Sequence, residues 1–412
     1  MAGDKRMPID NSALLYLSLL RKNHANTYRF SVTLREAVRP DVLQRAADNV
    51  FQRFPGIFAG FRPGFFAYSL EPVAAAPRVM PDTALLRTLS REEVRACPYR
   101  ILYSGCAVSV EMFHALTDGY GAMATIRALI WEYLHLAQGV AMPEWKQNPE
   151  EELRDAYLDY AQDKPGSVPN RSAYQLPGKD RNWDVKAECR TFSTGELLAA
   201  AKRFGVSLTA LLSGIMAESI MELQQENGAG KCLPVRIMVP IDLRKLNPSG
   251  TLRNYILYAL PTLEPEQTGL SRGERLQLMH KQLREQVTQA YLYPQAARNV
   301  RLQNAFAFRL LPRRIKCALT RLSYSFYGER NSSITLTNLG TADFPPEVKP
   351  YIRGVEVHLT PRRKSPYNCA LITYGNETRI SITRFNEQPD FEELFFRKLR
   401  QALSEGPDQN GG

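Results

Sequence analysis

In the first half of the chain, apolar and polar positions alternate with the periods of strands and helices. Apolar residues occupy every second position of Thr27–Leu34, which predicts a half-buried strand. Residues 39–51 place apolar side chains three and four positions apart, which predicts a helix. The runs 57–61 and 65–70 flank Arg62-Pro63-Gly64 and predict a hairpin.

The next two predicted strands place a histidine at a strand end. Residues 101–103 and 107–114 have strand character and are joined by a turn at Ser104-Gly105. His114 shares the apolar face of the second strand with Val108, Val110 and Met112. A helix with one apolar stripe follows over residues 122–137. His114 therefore lies where a strand ends and a helix begins.

The second half repeats both kinds of element. The predicted helices cover residues 194–204, 206–225 and 270–290, and a last helix begins at Pro389-Asp390. The predicted strands cover residues 235–239, 332–338, 354–360, 370–374 and 378–384. Asp390 and Glu393 have the spacing of a capping box at the start of the last helix. Strands and helices in both halves predict an α/β fold with layered sheets.

Length and a change in composition predict two domains. The chain has 412 residues, whereas a single hydrophobic core stops growing at roughly 250–300 residues. Between residues 139 and 182 proline, amide and acidic residues dominate, with a short acidic helix near residues 150–160. Such a segment is typical of a crossover between domains. We therefore divide the chain into residues 1–165 and 166–412.

The charge favours acidic partners. The net charge is +11 and the pI about 9.3, which suits a nucleotide-bearing substrate or an acidic carrier protein. The basic residues are spread along the chain and match no nucleic-acid-binding module, so we expect no nucleic acid as a partner. The segment Phe308–Tyr324 is basic, aromatic and partly amphipathic. It would either contact a membrane or a long acyl chain, or form an ordinary half-solvated helix.

The sequence predicts no membrane span, no signal peptide and no metal or disulfide site built from cysteines. No apolar run approaches the roughly 20 residues that span a bilayer. The short apolar run at residues 13–20 is followed at once by Arg21 and Lys22 and lacks a cleavage site, so we expect a cytoplasmic chain. The six cysteines are scattered without a Cys-x-x-Cys pair, which predicts neither a zinc site nor a disulfide framework.

The candidate chemistry lies in the run His114-Ala115-Leu116-Thr117-Asp118-Gly119. With five histidines in the chain, the His-x-x-x-Asp-Gly pattern is expected by chance in about 2% of such chains. The run also falls at a strand-to-helix junction, where α/β folds place reactive groups. Alternatively, His114 is a core histidine on an apolar strand face, and Asp118 is a helix cap.

Further motifs accompany this run in order along the chain: Arg53-Phe54-Pro55, Val239-Pro240-Ile241-Asp242-Leu243-Arg244 with Asn254 downstream, and Thr337-Asn338-Leu339-Gly340. Together they resemble the condensation-domain superfamily, which includes chloramphenicol acetyltransferases, alcohol acetyltransferases, plant HxxxDG acyltransferases and peptide-synthetase condensation domains. The nearest subgroup is the bacterial alcohol-acetyltransferase-like proteins. The resemblance implies an α/β (α+β two-layer) fold of two chloramphenicol-acetyltransferase-like subdomains. Their mixed sheets are flanked by helices, with an active-site channel between the subdomains.

Two departures narrow the resemblance. Phe113 occupies the place of the first histidine in the doubled motif of peptide-synthetase condensation domains, which disfavours peptide-bond synthesis. The Asp-Phe-Gly-Trp-Gly motif of the plant enzymes is absent from the sequence, so acylation of the plant type is not implied.

The resemblance also implies roles for individual residues. His114 would be the general base that activates an alcohol or amine acceptor, without a covalent acyl-enzyme. Asp118 and Arg244 would form a structural salt bridge, although Arg244 is otherwise readable as a surface arginine. Gly119 would leave space for the donor, and Thr337 and Asn338 would be candidate oxyanion or substrate contacts.

The implied donor is acyl-CoA or an acyl-phosphopantetheine on a carrier protein, with no metal and no bound cofactor. Two other functions stay open from the sequence. One is a non-catalytic condensation-like module that binds a carrier protein or an acyl thioester. The other is a surface-binding protein attracted to membranes or nucleic acid by its charge.

Overall fold

The computed structural model describes residues 6–22, 24–143, 148–166, 171–178, 183–228 and 232–405. Its helices are α1 (Asn11–Leu19), α2 (Pro40–Val50), α3 (Arg91–Ala96), α4 (Gly119–Gln138), α5 (Pro149–Glu152), α6 (Thr194–Arg203), α7 (Leu208–Glu226), α8 (Arg272–Gln286), α9 (Gln289–Asn304), α10 (Phe306–Leu310), α11 (Arg313–Ser323) and α12 (Asp390–Ser404). Its strands are β1 (Met7–Pro8), β2 (Thr27–Leu34), β3 (Ala59–Pro63), β4 (Tyr68–Pro72), β5 (Val79–Pro81), β6 (Tyr99–Ser104), β7 (Ala107–Phe113), β8 (Lys186–Ser193), β9 (Val235–Asp242), β10 (Ile256–Ala259), β11 (Thr262–Leu263), β12 (Ile334–Thr341), β13 (Ile352–Leu359), β14 (Tyr367–Tyr374) and β15 (Glu377–Arg384).

Each half of the chain is organised around a mixed sheet. The first sheet has the order β13-β2-β7-β6-β5, and the second has the order β10-β9-β12-β14-β15-β8, with β11 paired to β9. A small sheet of order β1-β4-β3 flanks the first. The predicted α/β class with mixed sheets and flanking helices is confirmed.

The second half of the chain supplies a strand to the first sheet. β13 pairs antiparallel with β2, and Val355 lies opposite Val32. β2 in turn pairs antiparallel with β7, the strand that precedes His114. The halves at residues 1–165 and 166–412 are therefore tied together by backbone hydrogen bonds beside the candidate site.

Most apolar burial lies in two large cores, one against each main sheet. One core packs α2 and α4 against the first sheet and includes Val32, Leu43, Val110, Ile126 and Ile130. A second core packs α7, α8 and α12 against the second sheet and includes Ile215, Ile237, Leu276, Ile380 and Phe395. Each core buries the apolar stripes of its helices, which stabilises the two sheets as rigid supports for the residues between them.

Several sequence predictions need correction in the first half. β2 is buried on both faces, because the guanidinium of Arg29 forms ion pairs with Glu111 and Asp82 on the polar side. The hairpin turn lies at residues 64–67, where Gly64 N–H donates to the Ala67 carbonyl. Phe65 and Phe66 therefore stand in the exposed turn and not in a strand.

The second half also differs from its predictions. The helix expected over residues 270–290 breaks after Gln286, because the Thr288 side chain caps a new helix by accepting from Tyr291 N–H. The expected capping box at Asp390 and Glu393 is absent, since Pro389 is the N-cap residue and has no side-chain acceptor. The edge strand β8 has few apolar residues and carried no clear strand pattern.

No single helix in the described part of the chain is long and apolar enough to cross a membrane. The bent pair α6 and α7 reaches that length and composition together, across a 79° bend. Most of the α7 side chains are buried in the second core, as expected for a core helix.

Candidate active site

His114 lies directly after β7, at the junction of the two halves. Its backbone N–H donates to the Asn26 carbonyl at 2.8 Å, which extends the pairing of β7 with β2 by one residue. The imidazole stacks on the Tyr16 ring at 4.5 Å between centroids and meets the edge of the Tyr28 ring at 4.8 Å. The side chain stays partly exposed, so two aromatic rings orient it without sealing it.

Asn254, from the second half, fixes the tautomer of this imidazole. The Asn254 amide Nδ2 donates to the His114 carbonyl at 2.9 Å, which identifies the amide nitrogen and leaves the oxygen facing the ring. Oδ1 lies 3.1 Å from His114 Nδ1. Because an amide oxygen only accepts hydrogen bonds, Nδ1 carries the proton, and Nε2 carries the free lone pair.

The surroundings also keep the ring neutral. Burial lowers the pKa of His114 below its ordinary value, against the opposing effects of its own carbonyl, the Asp118 carboxylate and the Asn254 side chain. A neutral imidazole with its lone pair on Nε2 is a proton acceptor at neutral pH. The site therefore presents a neutral imidazole whose lone pair lies on Nε2.

The loop after His114 is held by contacts from both halves. The Tyr28 hydroxyl donates to the carbonyls of Thr117 at 2.9 Å and Asp118 at 3.0 Å. The Thr117 hydroxyl donates to the Leu252 carbonyl at 2.5 Å. These hydrogen bonds fix the loop between β2 of the first half and the segment that carries Asn254.

Asp118 forms both a helix cap and an ion pair. Its Oδ1 accepts from the backbone N–H groups of Tyr120 and Gly121 in the first turn of α4. Its Oδ2 accepts from Arg244 Nη1 and from Tyr255 N–H, both at 2.9 Å. The carboxylate is buried, and both of its oxygens are engaged by these donors and not by the His114 ring, so it holds the loop without forming a triad.

The buried guanidinium of Arg244 is surrounded by carboxylate and carbonyl oxygens that accept its hydrogen bonds. Its guanidinium pairs with Asp118 and Asp242 at 2.9 Å and also donates to the carbonyls of Thr251 and Arg253. Tyr120 stacks over it at 4.5 Å. Burial opposes the charge, yet the carboxylates of Asp118 and Asp242 raise the pKa of Arg244. Arg244 is thus a buried structural residue and not a surface arginine.

Gly119, which ends the motif, and Gly121, two residues later, allow close contact between the halves. A Cβ on Gly119 would lie 2.6 Å from a methyl carbon of Leu339, a residue of β12. A Cβ on Gly121 would lie 2.6 Å from the Leu252 carbonyl oxygen and 2.1 Å from the Thr117 hydroxyl. Gly119 thus brings the motif against β12, and the backbone contact at Gly121 requires glycine.

The two candidate oxyanion contacts differ in their surroundings. The Asn338 amide donates to the Thr209 hydroxyl at 3.0 Å, and its oxygen accepts from Gly340 N–H at 2.9 Å. Thr337 is half-buried on β12. The Asn338 side chain is therefore committed to local hydrogen bonds, whereas Thr337 stays a candidate on the sequence motif alone.

Three of the other four histidines contact backbone atoms away from the motif, and the fourth is buried on β13. His24 Nε2 lies 3.0 Å from the Pro361 carbonyl, and His135 Nδ1 lies 2.7 Å from the Val140 carbonyl. His280 accepts from Ser207 N–H, and His358 is buried on β13. Within the described ranges, no cluster of His, Cys, Asp or Glu side chains is suited to hold a metal ion.

Sequence reasoning missed two aromatic residues of the site. Tyr16 lies on α1, in the apolar run that was considered only as a targeting signal, and nothing in its spacing points to His114. The sequence could have indicated the position of Tyr28 near the site, because Tyr28 lies near the start of a predicted strand. The register places Tyr28 opposite Met112, beside the end of β7.

The sequence matches no protein-family model and no curated protein. Solved structures share its fold over nearly the whole chain. Polyketide synthase associated protein 5 from Mycobacterium tuberculosis is 15% identical, with a TM-score of 0.62, over 98% of this chain and 99% of that chain. F. sporotrichioides TRI101, complexed with coenzyme A and T-2, is 12% identical, with a TM-score of 0.63, over 95% and 97%.

The starter condensation domain of rhizomide synthetase RzmA, in complex with C8-CoA and Leu-SNAC, is 13% identical, with a TM-score of 0.58, over 97% of this chain and 93% of that chain. At such low identity these similarities establish the fold. The chain has the two-subdomain, chloramphenicol-acetyltransferase-like fold of condensation domains and related acyltransferases, as the sequence motifs implied.

Proposed function

We propose that this protein is an acyltransferase that moves an acyl group from a CoA or carrier-protein thioester to an alcohol or amine. One observation carries the proposal: His114 is neutral, its Nδ1–H donates to Asn254, and its Nε2 lone pair is free at the junction of the halves. The related fold of condensation domains and acyltransferases supports it.

In the proposed reaction, His114 Nε2 removes the proton of the acceptor as its oxygen or nitrogen attacks the thioester carbonyl. The tetrahedral intermediate then collapses, the carbon–sulfur bond breaks, and the imidazolium returns the proton to the departing thiolate. General-base assistance of this kind typically contributes 10²–10⁴-fold in rate. Because the acceptor itself attacks the thioester carbonyl, this scheme contains no covalent acyl-enzyme.

The remaining site residues take supporting roles in this proposal. The Asp118–Arg244 pair holds the loop that positions His114 and does not exchange protons with substrate. Thr337, with Asn338 beside it, is the candidate donor to the oxyanion, where a preorganised hydrogen bond stabilises developing charge. Gly119 lets Leu339 of β12 pack directly against the motif, and its proposed role is to keep side-chain bulk away from the donor.

Charge and redox state fit the proposed substrates. CoA and phosphopantetheine both carry phosphate, which a chain of net charge +11 attracts.

The cysteines are free thiols, which favours a reducing compartment such as the cytoplasm. A small alcohol or amine is the proposed acceptor, as in the alcohol-acetyltransferase-like proteins.

The test is a release assay with the purified chain. Acyl-CoA donors of several chain lengths are incubated with a panel of alcohols and amines, and free thiol is measured with a chromogenic reagent. We expect thiol release that requires donor and acceptor together. Tight donor or carrier-protein binding without release for any pair would contradict the proposal and assign the chain as a non-catalytic binding module.

A further inference from the structure

An exposed apolar surface joins the two halves on the side of α11. It consists of the β3–β4 turn and the neighbouring helices α10 and α11, with the exposed side chains Phe65, Phe66, Phe306, Leu310, Leu319 and Leu322. Phe306 and Phe65 are 78% and 72% exposed. Contiguous apolar surface of this kind marks an interaction site.

Hydrogen bonds hold the β3–β4 turn against α11, so their exposed apolar side chains lie side by side. Arg313 N–H donates to the Phe65 carbonyl at 2.8 Å, and its guanidinium donates to the Gly64 carbonyl. Lys316 Nζ donates to the carbonyls of Phe66 and Arg309. The turn is therefore fixed against the start of α11, and its two phenylalanines stand beside the helix.

α11 turns its apolar stripe outward. Ile315, Leu319 and Leu322 are spaced four and three residues apart, so they share one helix face, and all three are exposed. The polar residue Lys316 lies on the buried side of the same helix. A surface helix of a soluble domain normally buries its apolar stripe, so this orientation leaves an apolar face for a partner.

The helical segment that carries α10 and α11 has charge of one sign. Residues 286–328 contain seven Lys or Arg and no Asp or Glu. Arg309, Arg314 and Arg321 are exposed beside the apolar side chains. Apolar residues flanked by arginines are the pattern of segments that bind anionic lipid surfaces, where the cations meet headgroups and the apolar face enters the acyl boundary.

We propose that this apolar surface docks the protein on an anionic lipid bilayer. The exposed stripe of α11 offers no polar side chain between Ile315 and Leu322 on that face, whereas a protein interface typically forms about one hydrogen bond per 100–200 Å². A bilayer interior requires no such hydrogen bonds. Phe65 and Phe66 at the turn supply the aromatic anchors typical of an interfacial segment.

The docked orientation would bring the candidate site close to the bilayer. Arg321 Nε donates to the Ser18 carbonyl at 2.9 Å, which joins α11 to α1. α1 also carries Tyr16, whose ring stacks on His114. One helix therefore separates the lipid-facing helix from the imidazole, although bilayer docking itself does not depend on the proposed catalysis.

The test is sedimentation of the full chain with vesicles of phosphatidylcholine, with or without about 30% phosphatidylglycerol. The variant carries Leu319→Glu and Leu322→Glu, both at exposed positions where the fold is not strained. Leu198→Glu is the matched control, because Leu198 is 52% exposed on α6, outside this surface.

We expect the wild-type chain and Leu198→Glu to bind the anionic vesicles equally, and to release them as salt is raised. The double variant should bind about tenfold or more weakly, since it places charge against headgroups of the same sign. Equal binding by the double variant, or no binding by the wild type, would overturn the proposal. So would a wild-type dimer that the double variant dissociates, because the surface would then join two copies.

Discussion

At the scale of single residues, the chemistry of the site depends on which imidazole nitrogen carries the proton. Asn254 decides this, because its amide donates to the His114 carbonyl and its oxygen then accepts from Nδ1. Tyr16 and Tyr28 hold the ring from two sides. In the proposed reaction, a base that is already neutral and oriented would need no rearrangement when the acceptor binds.

Asn254→Asp should shift the pH dependence of activity. The lowered pKa of His114 means that wild-type kcat/KM should persist below pH 6.5 before it falls on the acid side. A carboxylate beside Nδ1 favours the imidazolium, so the acid limb should move up by about 1–3 pH units. The measurement is kcat/KM against pH for both proteins.

Asn227→Asp, at the exposed end of α7, is the control for added charge and should leave the profile unchanged. An acid limb that stays in place in Asn254→Asp would show that Asn254 does not act on the reacting group.

At the scale of elements, the turn from β7 into α4 depends on glycine. A Cβ at position 121 would meet the Leu252 carbonyl oxygen at 2.6 Å, and neither backbone can move freely. Gly121→Ala should lower the free energy of unfolding by about 1–3 kcal/mol, the usual effect of overpacking. Urea unfolding measures this change.

Gly195→Ala provides the comparison, because a Cβ there would only contact the Ser193 hydroxyl at 3.6 Å. This substitution should leave stability unchanged or slightly higher. Equal stability of both variants would mean that the motif loop is less tightly packed against Leu252 than the structure indicates.

The buried histidine of β13, His358, should make the free energy of unfolding depend on pH. Burial lowers the pKa of His358 from 6.5 to about 4. The unfolded chain therefore binds more protons than the folded chain between these values, and stability falls as the pH drops from about 6.5 to about 4. His358→Gln should remove about 3 kcal/mol of this loss. Unfolding of both proteins at pH 7 and pH 4.5 measures the difference, and identical pH dependence would contradict it.

Element boundaries followed from the sequence where the pattern was strong. The strand Thr27–Leu34 was predicted with the correct bounds, although its polar face is buried as well, and the helical spacing marked the buried stripe of α4 correctly. The break at Thr288 was missed, since a capping hydrogen bond overrides a continuous helical pattern. The contact of Tyr16 with His114 was also missed, because it depends on how α1 packs and not on spacing.

At the scale of the whole molecule, the halves meet through buried polar contacts. Sequence motifs brought Asp118 and Arg244 to attention as partners, and the structure places Oδ2 and Nη1 2.9 Å apart. Asn254 and Leu252 add further contacts from the second half to the motif loop. The site therefore exists only when both halves are folded and docked.

Removing one partner of the buried Asp118–Arg244 pair should cost far more stability than removing one partner of an exposed pair. Arg244→Met leaves the Asp118 carboxylate buried without its ion pair, which costs about 3–5 kcal/mol. Lys349→Met, which breaks the exposed pair with Asp343, should cost less than about 1 kcal/mol. Thermal unfolding measures both, and equal effects would contradict a buried structural role for Arg244.

The most direct test of the account is the rate of thiol release by His114→Ala compared with His135→Ala. His135 lies exposed on α4 and serves as the matched histidine. With an active donor and acceptor pair, we predict that His114→Ala loses about 10²–10⁴-fold in kcat while its circular dichroism stays that of the wild type. His135→Ala should retain the wild-type rate. A folded His114→Ala variant that releases thiol as fast as the wild type would contradict the claim that His114 is the base.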